Sequence, residues 1–506
     1  MKSKRGIAAA AIVVSALPFA LCAQTLQPAG TVWSGGSTLP SGRVTAHEYR
    51  STVRMFGYTS GMLAIPYNVV AGKVYTASCL VPGTNQRKMF ASFGTKSSAT
   101  AGVTDRNGTI VTANVSSTGA VSGFSQTNFP LCEDMNGIVA SNDCSTVAAL
   151  CRVPSTRTGA TKDLVQELPA DKRDWITKAG EDHMWLYVWN SPSMSSALPV
   201  NPNASYVVAR NLGDEWEYGH RDIVMSGTDY GLSIKGSVGT HETNHLIIVN
   251  RATPKIDPAR GWITNSCGDG HVHTNRPVAS ATNGKFMVLC TTDGDSDTDP
   301  MDFTGGIYGT MEDKPEEFKN PFKSIYMGGK ANQFNGGANS FVALPGGGFM
   351  GVYAAPSNLS NGRTEIHLVR FNSLGEYEWT KVARSNTTYS LGYPQIGYLG
   401  KDGAGNVRLL VGWGRLFDWS SYKFDTAGDQ RRIASLYTVQ EFNVDGAPVS
   451  AIRDVTHGWG ELDKMTSIGN GRVGWAYTPD PNLQGATKPV VMSPTLQWTT
   501  YTSTSM

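Results

Sequence analysis

The chain has 506 residues, with 43 Lys+Arg against 41 Asp+Glu, 17% charged residues, 56 Gly and 25 Pro. That length excludes a small disulfide-held scaffold and leaves room for one large domain or two to three ordinary ones. A net charge of +2 with no long Lys/Arg run excludes an electrostatic nucleic-acid binder, and low charge with 40% hydrophobic residues fits neither a disordered nor a coiled-coil chain.

Lys2, Lys4 and Arg5 precede an apolar stretch from Ile7 to Leu21, with small residues at Ala20, Cys22 and Ala23. The stretch is too short for a membrane span and a polar, Gly-rich sequence follows from Gln24, so residues 1–23 read as a secretory signal cleaved near Ala23. A lipid on Cys22 is disfavoured by the bulky Leu21 before it. Loss of the three basic signal residues takes the net charge from +2 to −1. No other segment approaches transmembrane length, so no stable membrane span is expected.

Export places the remaining cysteines in an oxidising compartment, and Cys79, Cys132, Cys144, Cys151, Cys267 and Cys290 can pair as disulfides. Cys267 and Cys290 bracket a turn, a strand, a turn and a second strand, which predicts a bridge between them. Cys132, Cys144 and Cys151 cluster around one local loop, and Cys79 is expected to pair with a member of that cluster.

Helical periodicity is confined to Thr161–Ala179, where Pro169 permits at most two short helices. Elsewhere, strand-length apolar runs alternate with Gly, Asn and Asp turns. They include Asp222–Ser226, Leu246–Asn250, Pro277–Ala281, Lys285–Cys290, Phe349–Tyr353, Glu365–Phe371, Val407–Trp413, Leu436–Phe442 and Arg472–Tyr477. Two stretches share one order of elements: Phe341–Leu344, Gly346–Gly348, Phe349–Tyr353 and Ile366–Phe371, then Ile396–Leu399, Gly403–Gly405, Val407–Trp413 and Tyr437–Phe442. A partial copy starts at Met465, and earlier ones near Ile223 and Pro277.

Repeats of three to four strands every ~40–55 residues are the pattern of propeller blades. The expected fold is all-β, a β-propeller of about six to eight blades over residues 181–506. Residues 24–180 form an N-terminal β-rich region with the Cys cluster, either a further blade or an appended domain. A pair of two-sheet sandwiches is the alternative. The layout resembles secreted bacterial β-propeller proteins over roughly the last two thirds of the chain, in architecture only.

Histidine is the expected centre of any chemistry. His220, His273 and His457 lie just before candidate inner strands, whose leading ends converge on one funnel in a propeller. Gly268–Thr274 holds His271 and His273 in a Gly-rich turn, with Arg276 close behind. His241-Glu242-Thr243-Asn244-His245 matches the zinc motif H-E-x-x-H, which works on a helix that puts both histidines on one face with the Glu beside the bound water. Here Gly236 and Gly239 precede it and Leu246-Ile247-Ile248-Val249 follows, so the segment reads as turn and strand, with Glu242 pointing away.

Asp293, Asp295, Asp297 and Asp299 alternate as in a calcium loop, although Thr298 and Thr304 stand where the usual Gly and Glu belong. The bland reading is a solvated acidic loop. Trp379, Trp413, Trp419, Trp459 and Trp475 suit either sugar stacking or packing between blades. No G-x-S-x-G, phosphate loop or dinucleotide fingerprint occurs.

The leading expectation is an exported propeller acting on an extracellular polymer, with an acidic polysaccharide as the leading substrate class, by lyase-type chemistry. His220, His241, His273 and Arg276 are its catalytic candidates. His241, His245 and His271 are candidate ligands for Zn or Mn, and the Asp loop for Ca. The alternatives are a non-catalytic carbohydrate-binding or adhesin propeller, and a zinc metallopeptidase at 241–245.

Overall fold

Short apolar runs without strict alternation, such as Leu246-Ile247-Ile248-Val249, suit strands covered on both faces. All four of these residues are buried completely. The computed structural model describes residues 31–33, 42–50, 54–55, 74–96, 106–132, 134–177, 182–193, 197–212, 222–238, 241–261, 272–292, 304–313, 323–326, 339–356, 364–385, 390–416, 434–457, 464–477 and 495–506.

The chain begins with β1 (Thr31–Trp33), β2 (Gly42–Arg50) and β3 (Arg54–Met55). Next, β4 (Tyr75–Leu80), β5 (Arg87–Lys96), β6 (Arg106–Val115) and β7 (Val121–Phe129) form a first blade, with β3 also paired to β5. The second blade takes β8 (Asp134–Ala140), β9 (Thr146–Val153), β10 (Lys162–Asp163), β11 (Asp182–Asn190) and β12 (Ala204–Leu212) in the order β8-β9-β11-β12-β10. Between β10 and β11 the helical stretch reduces to short turns around α1 (Ala170–Arg173), as Pro169 demands.

The third blade is β13 (Asp222–Met225), β14 (Asp229–Val238) and β15 (His241–Asn250). The fourth is β16 (Val272–Ala279), β17 (Phe286–Thr292), β18 (Thr304–Met311) and β19 (Lys323–Tyr326). The fifth is β20 (Asn339–Ala343), β21 (Phe349–Pro356), β22 (Thr364–Phe371) and β23 (Tyr377–Arg384). The sixth is β24 (Ser390–Lys401), β25 (Val407–Leu416), β26 (Ala434–Asn443) and β27 (Arg453–His457). Finally β28 (Thr466–Gly469), β29 (Arg472–Tyr477) and β30 (Thr495–Ser503) join β2 and β1 in one sheet.

Among the described residues there are thus seven sheets. Their first strands touch in ring order, β4 to β8, β13, β16, β20, β24 and β28, and β28 touches β4 again. This closes a propeller around the inner strands. N-terminal β2 lies antiparallel to C-terminal β30, Gly42 opposite Ser503 and Arg50 opposite Thr495, so the two ends of the chain complete one blade. Residues 24–180 supply the first blade, three strands of the second and part of this closure, and β9 pairs with β11, so strands on both sides of residue 180 share one sheet.

Hydrophobic clusters fill the spaces between successive blades. One joins the first three blades through Phe90, Leu150, Trp189 and Leu232, and another packs Phe286 and Val288 on Leu246 and Ile248. Trp413 sits between the fifth and sixth blades, and Trp475 between the sixth and seventh. Trp413 is 2% and Trp475 0% exposed, so both pack blades rather than meet sugars. Truncating either to Ala costs about 3–5 kcal/mol.

The Gly turns of the repeat have a steric basis. Gly348 has φ +79°, and a Cβ there would lie 2.6 Å from the Phe371 carbonyl oxygen. Two disulfides, Cys79–Cys144 and Cys132–Cys151, tie the first blade to the second, matching the expected pairing of Cys79 with the cluster. Cys267 and the Cys290 sulfur lie outside the described residues, so the bridge expected there does too.

Candidate functional site

The seven inner strands begin on one face of the ring, here the leading face, and Asp222 opens β13 on that face. Its carboxylate is 3% exposed. Asp222 Oδ1 accepts the Ile223 backbone N–H at 2.8 Å, and Lys464 Nζ stands 3.3 Å from both carboxylate oxygens. Arg276 Nη1 lies 3.8 Å from Oδ2, on a side chain only 4% exposed. The neighbouring blade comes close behind: Gly137 is the extra residue of a bulge in β8, with φ +73°, and a Cβ there would sit 3.1 Å from Asp222 Cα.

Lys464 lies two residues before β28, in the seventh blade. The Thr76 hydroxyl of β4 donates to the Lys464 carbonyl at 3.1 Å and meets the Thr466 hydroxyl at 2.7 Å. The Lys464 backbone is therefore held by the first blade while its ammonium reaches the third. Lys464 is 27% exposed, so within the triad it is the group that meets solvent. The three side chains carry two positive charges and one negative, and burial in low dielectric strengthens the interaction among them.

Gln395 lies on β24, the inner strand of the sixth blade. It is 1% exposed, and neither Oε1 nor Nε2 has a hydrogen-bond partner among the described residues. Leaving such atoms unpaired costs about 1–3 kcal/mol each. The strand bulges just before it, with Gly392 opposite Gly414 but Gln395 opposite Gly412.

The sequence-predicted residues separate into those placed here and those elsewhere. Arg276 is brought to the inner strands. His273 lies on the same strand, β16, where Val272 pairs with Thr292 and Thr274 with Thr291. His273 is therefore the extra residue of a bulge, the device that re-aims a side chain; its own side chain lies outside the described residues. His241 and His245 lie on β15, the third strand out from the channel, with His245 opposite Ile234 and fully buried. The H-E-x-x-H segment is thus a strand, and the helix that a zinc peptidase requires is missing from it.

His457 ends β27, the outermost strand of its sheet. His220, His271, Asp293, Asp295, Asp297 and Asp299 lie outside the described residues, as do Trp419 and Trp459. Among the described residues no group of three or more His, Cys, Asp and Glu side chains is arranged to hold a metal ion. No helix among them is long and apolar enough to cross a membrane.

Asp222, Lys464 and Gln395 were not singled out by sequence. Their shared signal is a polar residue at or near the beginning of the first strand of a repeat unit.

No protein-family profile and no curated protein matches this sequence. Among solved structures, the chain is similar to the polysaccharide lyase Uly1, at 10% identity over 90% of this chain and 98% of that one, with a TM-score of 0.43. It is also similar to an α-L-arabinofuranosidase from Fusarium graminearum, at 10% identity over 89% and 97% and a TM-score of 0.38. A Penicillium chrysogenum α-L-arabinanase matches at 11% identity over 79% and 99%, with a TM-score of 0.36. Identities near one tenth with TM-scores below 0.5 carry no functional weight.

Proposed function

We propose that this chain is an exported β-propeller that takes an acidic polysaccharide at the leading face of its channel and cleaves it by β-elimination. The observation that carries the reading is the Asp222–Lys464–Arg276 triad, two cations and one carboxylate brought together where inner strands of separate blades converge. A uronate carboxylate is the natural counter-charge. Lys464 meets it from the exposed side, while Asp222 fixes the position of both cations.

In the elimination, neutralising the carboxylate acidifies the adjacent C–H of the sugar ring. A base takes that proton, the electron pair forms the ring double bond, and the bond to the leaving glycosidic oxygen breaks. That oxygen then takes a proton from water or an acid. His273 is the proposed base because it shares β16 with Arg276; His220 and His241 are the other histidine candidates. Zn or Mn at His241, His245 and His271, and Ca at Asp293, Asp295, Asp297 and Asp299, remain proposals that metal analysis of the purified chain tests directly.

A second reading has a specific observation in its favour. Lys464 stands within 3.3 Å of both Asp222 oxygens and beside the buried Arg276, so the triad equally suits a propeller that binds acidic glycan without cleaving it. The experiment that separates them is incubation with a panel of acidic polysaccharides, followed by ultraviolet detection of unsaturated uronate and by binding measurement. Binding without unsaturated product selects the second reading. Neither binding nor product rejects both.

A further inference from the structure

The second and third blades part on the trailing face, the side where inner strands end. The β13–β14 turn at Gly227 and Thr228 and the end of β11 at Asn190 line a cleft there of about 370 Å³. Asp222 opens β13 and this turn follows its other end, so the cleft and the charged triad occupy opposite faces of the ring.

The cleft has a fixed floor. Arg251 Nη1 donates to the carbonyls of Ser226 and Gly227 at 2.8 and 3.1 Å, and its guanidinium lies 5.5 Å from the centre of the Tyr230 ring. Asn250 donates to Asp229 at 3.3 Å and accepts the Thr253 backbone N–H at 2.8 Å. These groups are held before any ligand arrives, which lowers the entropy lost on binding. The rim differs: the half-buried Tyr206 and the exposed Asn190 present a phenol and an amide whose side chains have no partner among the described residues.

Arg251 is the one charged side chain among the described lining residues, and the Asp229 carboxylate behind Asn250 and Thr228 is paired with Arg260 at 2.9 Å. The volume falls at the small end of ligand sites, which run from ~300 to ~1,000 Å³. We infer that this cleft is a second glycan-binding site, holding one carboxylate-bearing sugar unit against Tyr206 with Asn190 at its edge and Arg251 supplying the positive field. The inference rests on the proposed function only for the class of polymer, since it needs neither the triad nor turnover. A chain with sites on both faces can hold one region of a polymer while another region occupies the channel.

The test is calorimetric titration of the full chain with D-glucuronate and, separately, D-glucose, in the Lys464→Met background so that the channel does not contribute. The expected result is binding of glucuronate tighter than that of glucose. Tyr206→Ala is expected to weaken both by about 3- to 10-fold. Asn190→Asp, on an exposed residue that tolerates substitution, is expected to weaken glucuronate by about 2- to 5-fold while sparing glucose. No binding of either sugar, or binding that both substitutions leave unchanged, overturns the inference. Since Lys464→Met already removes the channel grip, failure of the channel reading leaves these outcomes unaffected.

Discussion

Lys464 Nζ lies 3.3 Å from both carboxylate oxygens of Asp222, a residue 242 positions away in sequence. The two belong to the seventh and third blades, which are not neighbours in the ring, so the pair spans the centre of the propeller. Replacing Asp222 by Asn removes a buried carboxylate that faces both Lys464 and the buried Arg276, and the expected loss is about 3–5 kcal/mol of stability. Lys464→Met, on a side chain 27% exposed, is expected to lose about 1 kcal/mol or less. Urea unfolding midpoints of the two variants check this order, and equal losses contradict it.

Gln395→Leu tests whether this inner-strand amide serves the proposed site or only packs. The substitution removes two buried polar atoms that have no partner among the described residues. Stability is expected to be unchanged or to rise by about 1 kcal/mol, whereas glycan binding or turnover falls. Unfolding and glycan assays on the same preparation read both effects. A loss of stability with glycan handling intact contradicts the assignment.

Cys79–Cys144 closes a loop of 65 residues and Cys132–Cys151 one of 19. Loop-closure entropy gives each about 3–4 kcal/mol, with the longer loop contributing more. Paired Cys→Ala substitutions are expected to lower the unfolding midpoint in that order. Because both bridges join the first two blades, proteolytic nicking in the reduced variants is expected to appear first between residues 74 and 212.

Glu441 gives a pH dependence of known sign. Burial pushes its carboxyl above the usual range, against the opposing pull of the Tyr501 hydroxyl, which donates to Oε1 at 2.7 Å. With the folded value raised above the unfolded one, the contribution is fully present below the unfolded value and lost as pH rises through the folded value. Glu441→Gln keeps an oxygen for Tyr501 and removes the titration. The variant is expected to gain on the wild type in thermal midpoint as pH rises above about 4.3, and a difference that does not vary with pH contradicts the burial effect.

The strand pattern was readable because each propeller strand is covered on both faces and bounded by turns that require Gly. Arg472–Tyr477 agrees residue for residue with β29, and Leu436–Phe442 falls within β26 by one or two residues at each end. Outer strands such as β23 were missed: its residues are mostly exposed or half-buried, so Tyr377–Arg384 lacks an apolar run. Ring closure by β2 and β30 joins the chain's two ends and leaves no local signal.

The site was legible only in part. Arg276 stood out beside a histidine pair, but Asp222 and Lys464 are single charged residues whose meaning depends on two blades meeting across the channel. His241 and His245 drew attention through a motif whose chemistry needs a helix, and β15 is a strand.

The most direct measurement is ultraviolet absorbance of unsaturated uronate released from a panel of acidic polysaccharides by the wild-type chain, with Lys464→Met and Lys464→Arg alongside. The proposed function predicts a rise on at least one polymer, abolished in Lys464→Met and partly restored in Lys464→Arg. No rise on any member of the panel, or a rise that Lys464→Met leaves intact, contradicts it.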